Sequence, residues 1–192
     1  MNSLHDLGYE PGDLEVRVSE LLVATSDASD AAIDQSVPEV LRLLRDRMKM
    51  DVVFVSEFFD GKRVIKHVAN TPGKDVIAVG TCEPLEDTWC QRVVDGRLPA
   101  YIEDTARLPA AAELLEKLPF PVGTFISTPI VLKSGEVYGT LCALSFAPHD
   151  QPNRSDLKNL QFTAQLAAQK IDKQRVVGAA KPPTPEQTLA PK

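Results

Sequence analysis

The spacing of apolar residues predicts three helices, one at each end of the chain and one shortly after the first. A short amphipathic helix is expected over residues 14–24, and a longer one is expected from about Asn153. The second helix is predicted to start at Ser36, because Ser36 and Glu39 have the spacing of a capping box. In the carboxyl-terminal helix the apolar residues form a heptad-like seam, made of Leu157, Leu160, Ala164, Ala167 and Ile171.

Two pairs of strands lie between these helices. DVVFVSEFF (51–59) and RVIKHVA (63–69) are joined by Asp60-Gly61, a pair typical of two-residue hairpin turns. VGTFISTPIVLK and EVYGTLCALSF are joined at Ser134-Gly135. In the first strand the residues that point to either face are apolar, so we expect the sheet to be covered on both faces. Gly139 interrupts the last strand, which indicates that another backbone or a ligand approaches it closely.

The middle of the chain is less regular. A loop over residues 70–84 leads to LEDTWCQRVVDG, where Leu85, Trp89 and Val93 share a helical face and Gly96 is the expected end of the helix. A short extended LPAYI follows. Asp104 or Thr105 then caps a brief helix that runs through Lys117.

Composition excludes several classes of function. The 192 residues suffice for one domain with extensions, and a net charge of −6 without a cationic cluster argues against nucleic-acid binding. We expect a cytoplasmic protein, because no apolar run has the length of a membrane span and the amino terminus does not resemble a signal peptide. Cys82, Cys90 and Cys142 show neither disulfide-scaffold nor zinc-site spacing, so reduced thiols and no metal are expected.

Two blocks carry a family resemblance: PLEDTWCQRVVDGRLPAYIEDTARLP (84–109) and STPIVLKSGEVYGTLCALS (127–145). In this order of elements the chain resembles a GAF domain, the small-molecule sensor module of many bacterial signalling proteins, over about residues 33–171. The resemblance implies an α+β fold. A central antiparallel sheet of about five to six strands would carry long terminal helices on one face, with short helices and loops covering a pocket on the other.

The expected domain boundaries follow from this resemblance and from composition. Residues 1–30 form a leader with the short amphipathic helix, 31–175 form the GAF domain, and 176–192 form a proline-rich tail predicted to be disordered.

The function implied by the resemblance is that of a sensor without catalysis. It would bind a small molecule over the sheet and signal through terminal helices that pair two copies in a homodimer. Because the tail carries no output domain, the signalling partner is expected to be a separate protein. The sequence identifies neither the ligand, nor a cofactor, nor the output partner, nor the dimer geometry.

Two alternatives stay open. Free methionine sulfoxide reductases are GAF domains with cysteines in the middle region, and Cys82 and Cys90 fall near the matching places. The segment TARLPAAAELLEKLPFP, where those enzymes carry the attacking thiol, has no cysteine here. The other alternative is a ligand-free dimerisation module. A bilin photoreceptor is not indicated, because no cysteine is followed by a histidine.

The candidate ligand-binding residues are therefore chosen from the predicted pocket helix, its flanks and the strands. Several have simpler interpretations: Trp89 as core, Asp104 as a helix cap, and Glu57 as the exposed end of a strand. The full set of candidates is Glu57, Cys82, Trp89, Cys90, Asp104, Ser127, Thr140 and Cys142. No catalytic set of nucleophile, base and orienting group can be assembled.

Overall fold

The computed structural model describes residues 11–23, 30–149 and 153–180. This part of the chain forms five α-helices and six β-strands. The helices are α1 (Pro11–Val23), α2 (Asp30–Met48), α3 (Trp89–Val94), α4 (Pro109–Leu115) and α5 (Ser155–Ala180). The strands are β1 (Val52–Phe59), β2 (Lys62–Asn70), β3 (Cys82–Pro84), β4 (Tyr101–Ile102), β5 (Thr124–Val131) and β6 (Val137–Ser145).

The strands form one antiparallel sheet in the order β3-β2-β1-β6-β5-β4. Both predicted hairpins are present. Asp60 and Gly61 have positive φ angles of 50° and 68°, as a two-residue turn of the I′ type requires, and Phe59 pairs with Lys62. The second turn is longer, with Gly135 at φ 85° between paired Leu132 and Glu136.

Helices cover both faces of this sheet, as the two apolar parities of β1 predicted. One core cluster joins α1, α2 and α5 to Val53 and Val55 of β1; the other joins α3 and α4 to Val52 and Phe54. The face under the three long helices is called the helix face below, and the opposite one the cavity face. The α+β architecture with long helices on one side and short ones on the other is confirmed.

Several element boundaries differ from the sequence prediction. The single helix predicted from Asp104 or Thr105 through Lys117 is a 3₁₀ turn over Thr105–Arg107 followed by the separate helix α4, which ends at Leu115. Helix α2 begins at Asp30, so Ser36 and Pro38 lie inside it and the predicted capping box does not start the helix. The pocket helix is split: a 3₁₀ turn over Leu85–Asp87 precedes α3, whose cap is Thr88, with its hydroxyl accepting from the Gln91 amide. Cys82 lies in β3 and not in a loop.

A further difference is at the carboxyl end. Helix α5 runs to Ala180, so residues 176–180, predicted as part of the tail, are helical. The absence of large apolar side chains there suggested disorder, but nothing in that segment breaks a helix before Pro182. The rest of the predicted tail, and most of residues 1–30 outside α1, lie beyond the described residues.

Gly139 is needed because another backbone lies against it. A Cβ atom at this position would lie 1.9 Å from the Ser56 carbonyl oxygen on the neighbouring strand β1. The close approach suggested by the sequence is therefore made by backbone.

Among the described residues, no helix is both long and apolar enough to cross a membrane.

Candidate functional site

A cavity of about 150 Å³ lies on the cavity face, between the sheet and the loops around α3 and α4. Its walls are mainly aromatic and aliphatic, with Phe54, Trp89, Phe125 and Leu144 among them. The Trp89 and Phe125 rings pack with centroids 5.1 Å apart and planes inclined by 60°. A cavity of this size accommodates a benzene-sized molecule and is smaller than the usual 300–1,000 Å³ of drug-sized ligand sites.

Two loops complete the walls. The segment after β2 contributes Val76 and Ile77, and it is fixed by Asn70, whose side chain donates to the Ile77 carbonyl at 2.8 Å and accepts from its amide at 3.3 Å. The segment after α4 contributes Leu118 and Phe120. These elements enclose the cavity from the side opposite the sheet.

Arg63 is the cation of the cavity wall. Its side chain is 13% exposed, it forms an ion pair with Glu83, and its guanidinium carbon lies 5.7 Å from the centroid of the Phe54 ring. One terminal nitrogen lies 3.6 Å from the Cys90 sulfur. The Nε atom is buried and has no hydrogen-bond partner among the described residues. A buried donor of this kind favours a ligand that offers an acceptor.

Arg63 reaches this face because β2 contains a bulge. Val55 pairs with His67 and Ser56 pairs with Ile65, which leaves Lys66 without a direct partner. One extra residue in a strand reverses the alternation of side chains beyond it. Ile65 and Arg63 therefore point to the cavity face, whereas His67 lines a separate cavity on the helix face.

A polar cluster lies under α3, beside this cavity. The sulfurs of Cys90 on α3 and Cys142 on β6 are 3.5 Å apart, and both residues are fully buried. The Cys142 sulfur is also 3.2 Å from the hydroxyl of Ser127 and 3.2 Å from that of Thr140. The thiol pair is therefore surrounded by hydrogen-bonding groups.

The two thiols have opposite pKa shifts. The pKa of Cys90 is lowered, chiefly because Cys142 hydrogen-bonds to its sulfur and further because of the positive charge of Arg63; burial opposes both. The pKa of Cys142 is raised, first by burial and then by its hydrogen bond to Cys90 and the charge of Cys90. Cys90 is thus the member of the pair that ionises first, and Cys142 keeps its proton.

The structure brings together five of the eight candidate residues. Trp89 lines the cavity, and Cys90, Ser127, Thr140 and Cys142 form the adjoining cluster. Sequence reasoning missed Arg63 and also Ser56, whose hydroxyl is 2.8 Å from that of Thr140.

The other three candidates lie elsewhere. Glu57 alternates in step with Val53 and Val55 and so lies on the helix face. Its carboxylate forms an ion pair with Lys66, with the Lys66 Nζ and Glu57 Oε2 atoms 3.1 Å apart. Asp104 caps a 3₁₀ turn, accepting from the Ala106 amide at 3.0 Å, as its simpler interpretation predicted. Cys82 is exposed on β3, and although its neighbours Thr81 and Glu83 line the cavity, Cys82 does not. The thiol that meets Cys90 is Cys142.

Comparison with known proteins decides the family. A family model described as GAF domain matches residues 30–172. The chain belongs to the GAF domain family.

The chain is also similar in sequence to a curated bacterial protein. The chain is 27% identical over 157 residues to the diguanylate cyclase DgcP of Escherichia coli (strain K12), an alignment that covers 81% of this chain and 45% of that protein. The chain thus spans less than half the length of this curated relative. GAF domains are sensor modules of signalling proteins and are generally non-catalytic.

Two solved structures share the fold at low sequence identity. The GAF domain of an Acinetobacter phosphoenolpyruvate-protein phosphotransferase superposes with a TM-score of 0.68 at 15% identity, covering 90% of this chain and 99% of that one. The free methionine-R-sulfoxide reductase of Neisseria meningitidis, solved in complex with its substrate, gives a TM-score of 0.67 at 14% identity, covering 92% and 99%. The fold is therefore shared by a GAF domain of a phosphotransferase and by a methionine sulfoxide reductase.

Proposed function

We propose that this GAF domain is a non-catalytic sensor that binds a small, uncharged, ring-sized molecule in the cavity over the sheet. The observation that carries the proposal is the buried, unpartnered Nε of Arg63 in a cavity of about 150 Å³ whose walls are mainly aromatic and aliphatic. The aromatic walls provide apolar contact, and the guanidinium provides one hydrogen bond that orients the ligand.

Charge balance favours a neutral ligand. Arg63 already lies beside the carboxylate of Glu83 and the sulfur of Cys90, whose pKa is lowered. An anionic ligand would add a further negative charge to a site where one cation faces two acidic groups. A carbonyl or ether oxygen satisfies Nε without that repulsion.

The test is native mass spectrometry of the freshly purified protein, compared with a denaturing spectrum of the same sample. The expected result is a discrete non-covalent mass that is lost on denaturation. A protein that carries no such mass and whose unfolding temperature is unchanged by ring-sized compounds would instead support the ligand-free module. Turnover of free methionine sulfoxide that requires thiols would support the reductase.

The proposed output is a homodimer that acts on a separate signalling protein. In α5 the seam residues Leu160 and Ala164 are buried in the core of their own subunit, and Leu157 and Ile171 are partly buried against the same core, so most of the heptad-like seam is already used there. The apolar residues left for a second copy include Val16 on α1, 55% exposed, and Val176 on α5, 71% exposed. Helices α1 and α5 pack on each other, so a dimer through both would link the cavity-bearing sheet to the partner copy.

This part of the proposal has its own test. Val16→Asp with Val176→Asp should convert a dimer to a monomer in light scattering, while circular dichroism stays unchanged. A wild-type protein that is monomeric at micromolar concentration would contradict the dimer but leave the ligand proposal standing. The reduced buried thiols are consistent with action in the cytoplasm, which we include in the proposal.

A further inference from the structure

The thiol pair is more than a packing feature, because both sulfurs have specific partners. They lie 3.5 Å apart in a fully buried setting, on two different elements, α3 and β6. The Cys90 sulfur is also 3.6 Å from a guanidinium nitrogen of Arg63, and Arg63 itself lines the neighbouring cavity. A cationic group of this kind stabilises a thiolate, which is the reactive form of cysteine.

We propose that Cys90 and Cys142 form a redox-active dithiol that small hydroperoxides oxidise, in a single event without turnover, to a disulfide joining α3 to β6. The proposal does not depend on the sensor ligand. It also differs from the reductase alternative, which would use Cys82 and Cys90.

The reaction proceeds in two displacements. The Cys90 thiolate attacks the terminal oxygen of the hydroperoxide; an S–O bond forms, the O–O bond breaks, and the alkoxide leaves and takes a proton from solvent. The sulfur of Cys142 then attacks the sulfenic acid on Cys90; the S–S bond forms, the S–O bond breaks, and hydroxide leaves with the thiol proton as water. Two electrons pass from the sulfurs to the hydroperoxide, which becomes an alcohol and water.

The division of roles follows from the surroundings of each sulfur. Cys90 adjoins the positive charge of Arg63, which stabilises its thiolate, so Cys90 is the attacking thiol. The pKa of Cys142 is raised by burial, so this thiol stays protonated until it attacks as the resolving thiol. Hydrogen peroxide fits readily in a cavity of about 150 Å³, whose wall includes Arg63 and Trp89 but not Cys90. The Cys90 sulfur is buried behind that wall, next to the Arg63 guanidinium, so the peroxide must pass Arg63 to reach it.

The geometry permits the disulfide with a modest movement. A disulfide bond is about 2.0 Å long, so the two sulfurs must approach by roughly 1.5 Å. Helix α3 is short and is bordered by the Thr88 cap and the turn at Gly96. A small displacement of α3 toward β6 is therefore the expected structural consequence of oxidation.

The experiment is peptide mapping of the reduced wild-type protein after treatment with hydrogen peroxide. Remaining thiols are alkylated in denaturant, and the peptides are analysed without reduction. The expected product is one cross-linked peptide pair containing Cys90 and Cys142, with the loss of two hydrogens, while Cys82 remains alkylated. The proposal is overturned if Cys82 is oxidised first, or if Cys90 and Cys142 stay reduced or are oxidised without cross-linking.

Variants separate the two thiols. In the Cys142→Ser variant, oxidation should stop at a sulfenic acid on Cys90, which can be trapped with dimedone. In the Cys90→Ser variant, Cys142 should stay unoxidised at the same peroxide concentration. Cys82→Ser is the matched control and should form the disulfide at the wild-type rate. Labelling of Cys142 by dimedone in the Cys90→Ser variant would reverse the assigned roles and overturn the mechanism.

Arg63 is tested as a positioning residue through the pH profile. Arg63→Gln should oxidise about tenfold more slowly near pH 6, because losing an adjacent cation raises a thiol pKa by roughly one unit or more. Its rate should rise with pH towards the wild-type rate, and Arg63→Lys should restore part of the difference. A uniform slowing at every pH would contradict the charge effect and indicate a purely structural role.

Discussion

The hydroxyl oxygens of Ser56 on β1 and Thr140 on β6 lie 2.8 Å apart, and neither residue has any exposed surface. This hydrogen bond joins the two central strands of the sheet directly beneath the dithiol, because Thr140 also contacts the Cys142 sulfur at 3.2 Å. The pair therefore fixes the strand that positions Cys142.

Removing one hydroxyl of this pair should destabilise the domain by about 1–3 kcal/mol, since the remaining hydroxyl would be buried with a lost partner. The change is Thr140→Val, or separately Ser56→Ala, and the measurement is the free energy of urea unfolding. The double variant should lose about 1 kcal/mol less than the sum of the two single losses, because both partners are then absent. Strictly additive losses would show that the two hydroxyls do not interact.

Gly139→Ala should be more costly than an alanine at a turn glycine. The new Cβ would meet the Ser56 carbonyl oxygen at 1.9 Å, and a central strand cannot shift away without breaking its pairing. We expect a loss of roughly 3 kcal/mol or more in the free energy of unfolding. The matched control is Gly135→Ala. Open space surrounds this site, so only the φ of 85° disfavours alanine, and the expected loss in the free energy of unfolding is about 1–2 kcal/mol. A smaller loss at 139 than at 135 would contradict this account.

The elements that local chemistry determines could be predicted from the sequence. Asp60-Gly61 specifies a two-residue turn through its backbone preferences alone, and the structure has that turn. The apolar residues on both parities of β1 required two covered faces, and both exist. The capping-box spacing of Ser36 and Glu39 failed because a helix that is already formed can contain the same residues without using them as a cap.

The candidate site was less predictable because it depends on which face a side chain occupies. Alternation along β2 would place Arg63 and His67 on the same face, but the bulge at Lys66 separates them. Glu57 shares the parity of buried residues, yet sequence alone does not say which of two buried faces carries the cavity. Cys90 and Cys142 are 52 positions apart, so only the fold reveals their contact.

Asp156 should make stability depend on pH. Its side chain is 4% exposed, and burial raises its pKa to about 6, against the opposing charges of His149 and Arg47. An unfolded aspartate titrates near 3.9, so between about pH 4 and 6 the folded chain binds more protons than the unfolded chain. The contribution of Asp156 to stability is therefore largest below about pH 4 and is lost as pH rises through 6.

Asp156→Asn isolates this contribution. At pH 7 the variant should be more stable than wild type by about 2–3 kcal/mol, since the pKa of Asp156 is raised to about 6 and a difference of one pKa unit corresponds to about 1.4 kcal/mol. Near pH 4 the two proteins should differ little. The measurement is the difference between their free energies of urea unfolding at several pH values. A constant difference across this range would show that Asp156 does not titrate abnormally.

The cavity should prefer neutral rings that carry an acceptor. Trp89 is the only tryptophan of the chain and lies in the cavity wall, so its fluorescence reports occupancy directly. Benzamide, which offers a carbonyl oxygen to Arg63, should bind more tightly than toluene, which offers only apolar contact. Benzoate should bind more weakly than benzamide, because Glu83 already pairs with Arg63 and a second carboxylate would be repelled.

Arg63→Gln should weaken benzamide binding by roughly ten- to a hundredfold while leaving toluene binding unchanged, because only benzamide uses the hydrogen bond to the guanidinium and such a bond is worth about 1.5–3 kcal/mol. The matched control is Arg107→Gln, the same change at a side chain that is 88% exposed and outside the cavity. Equal affinity for benzamide and toluene in the wild type would mean that Nε does not face the ligand. Tighter binding of benzoate would instead mean that Arg63 retains a net positive field in the cavity, and the ligand would then be an acid.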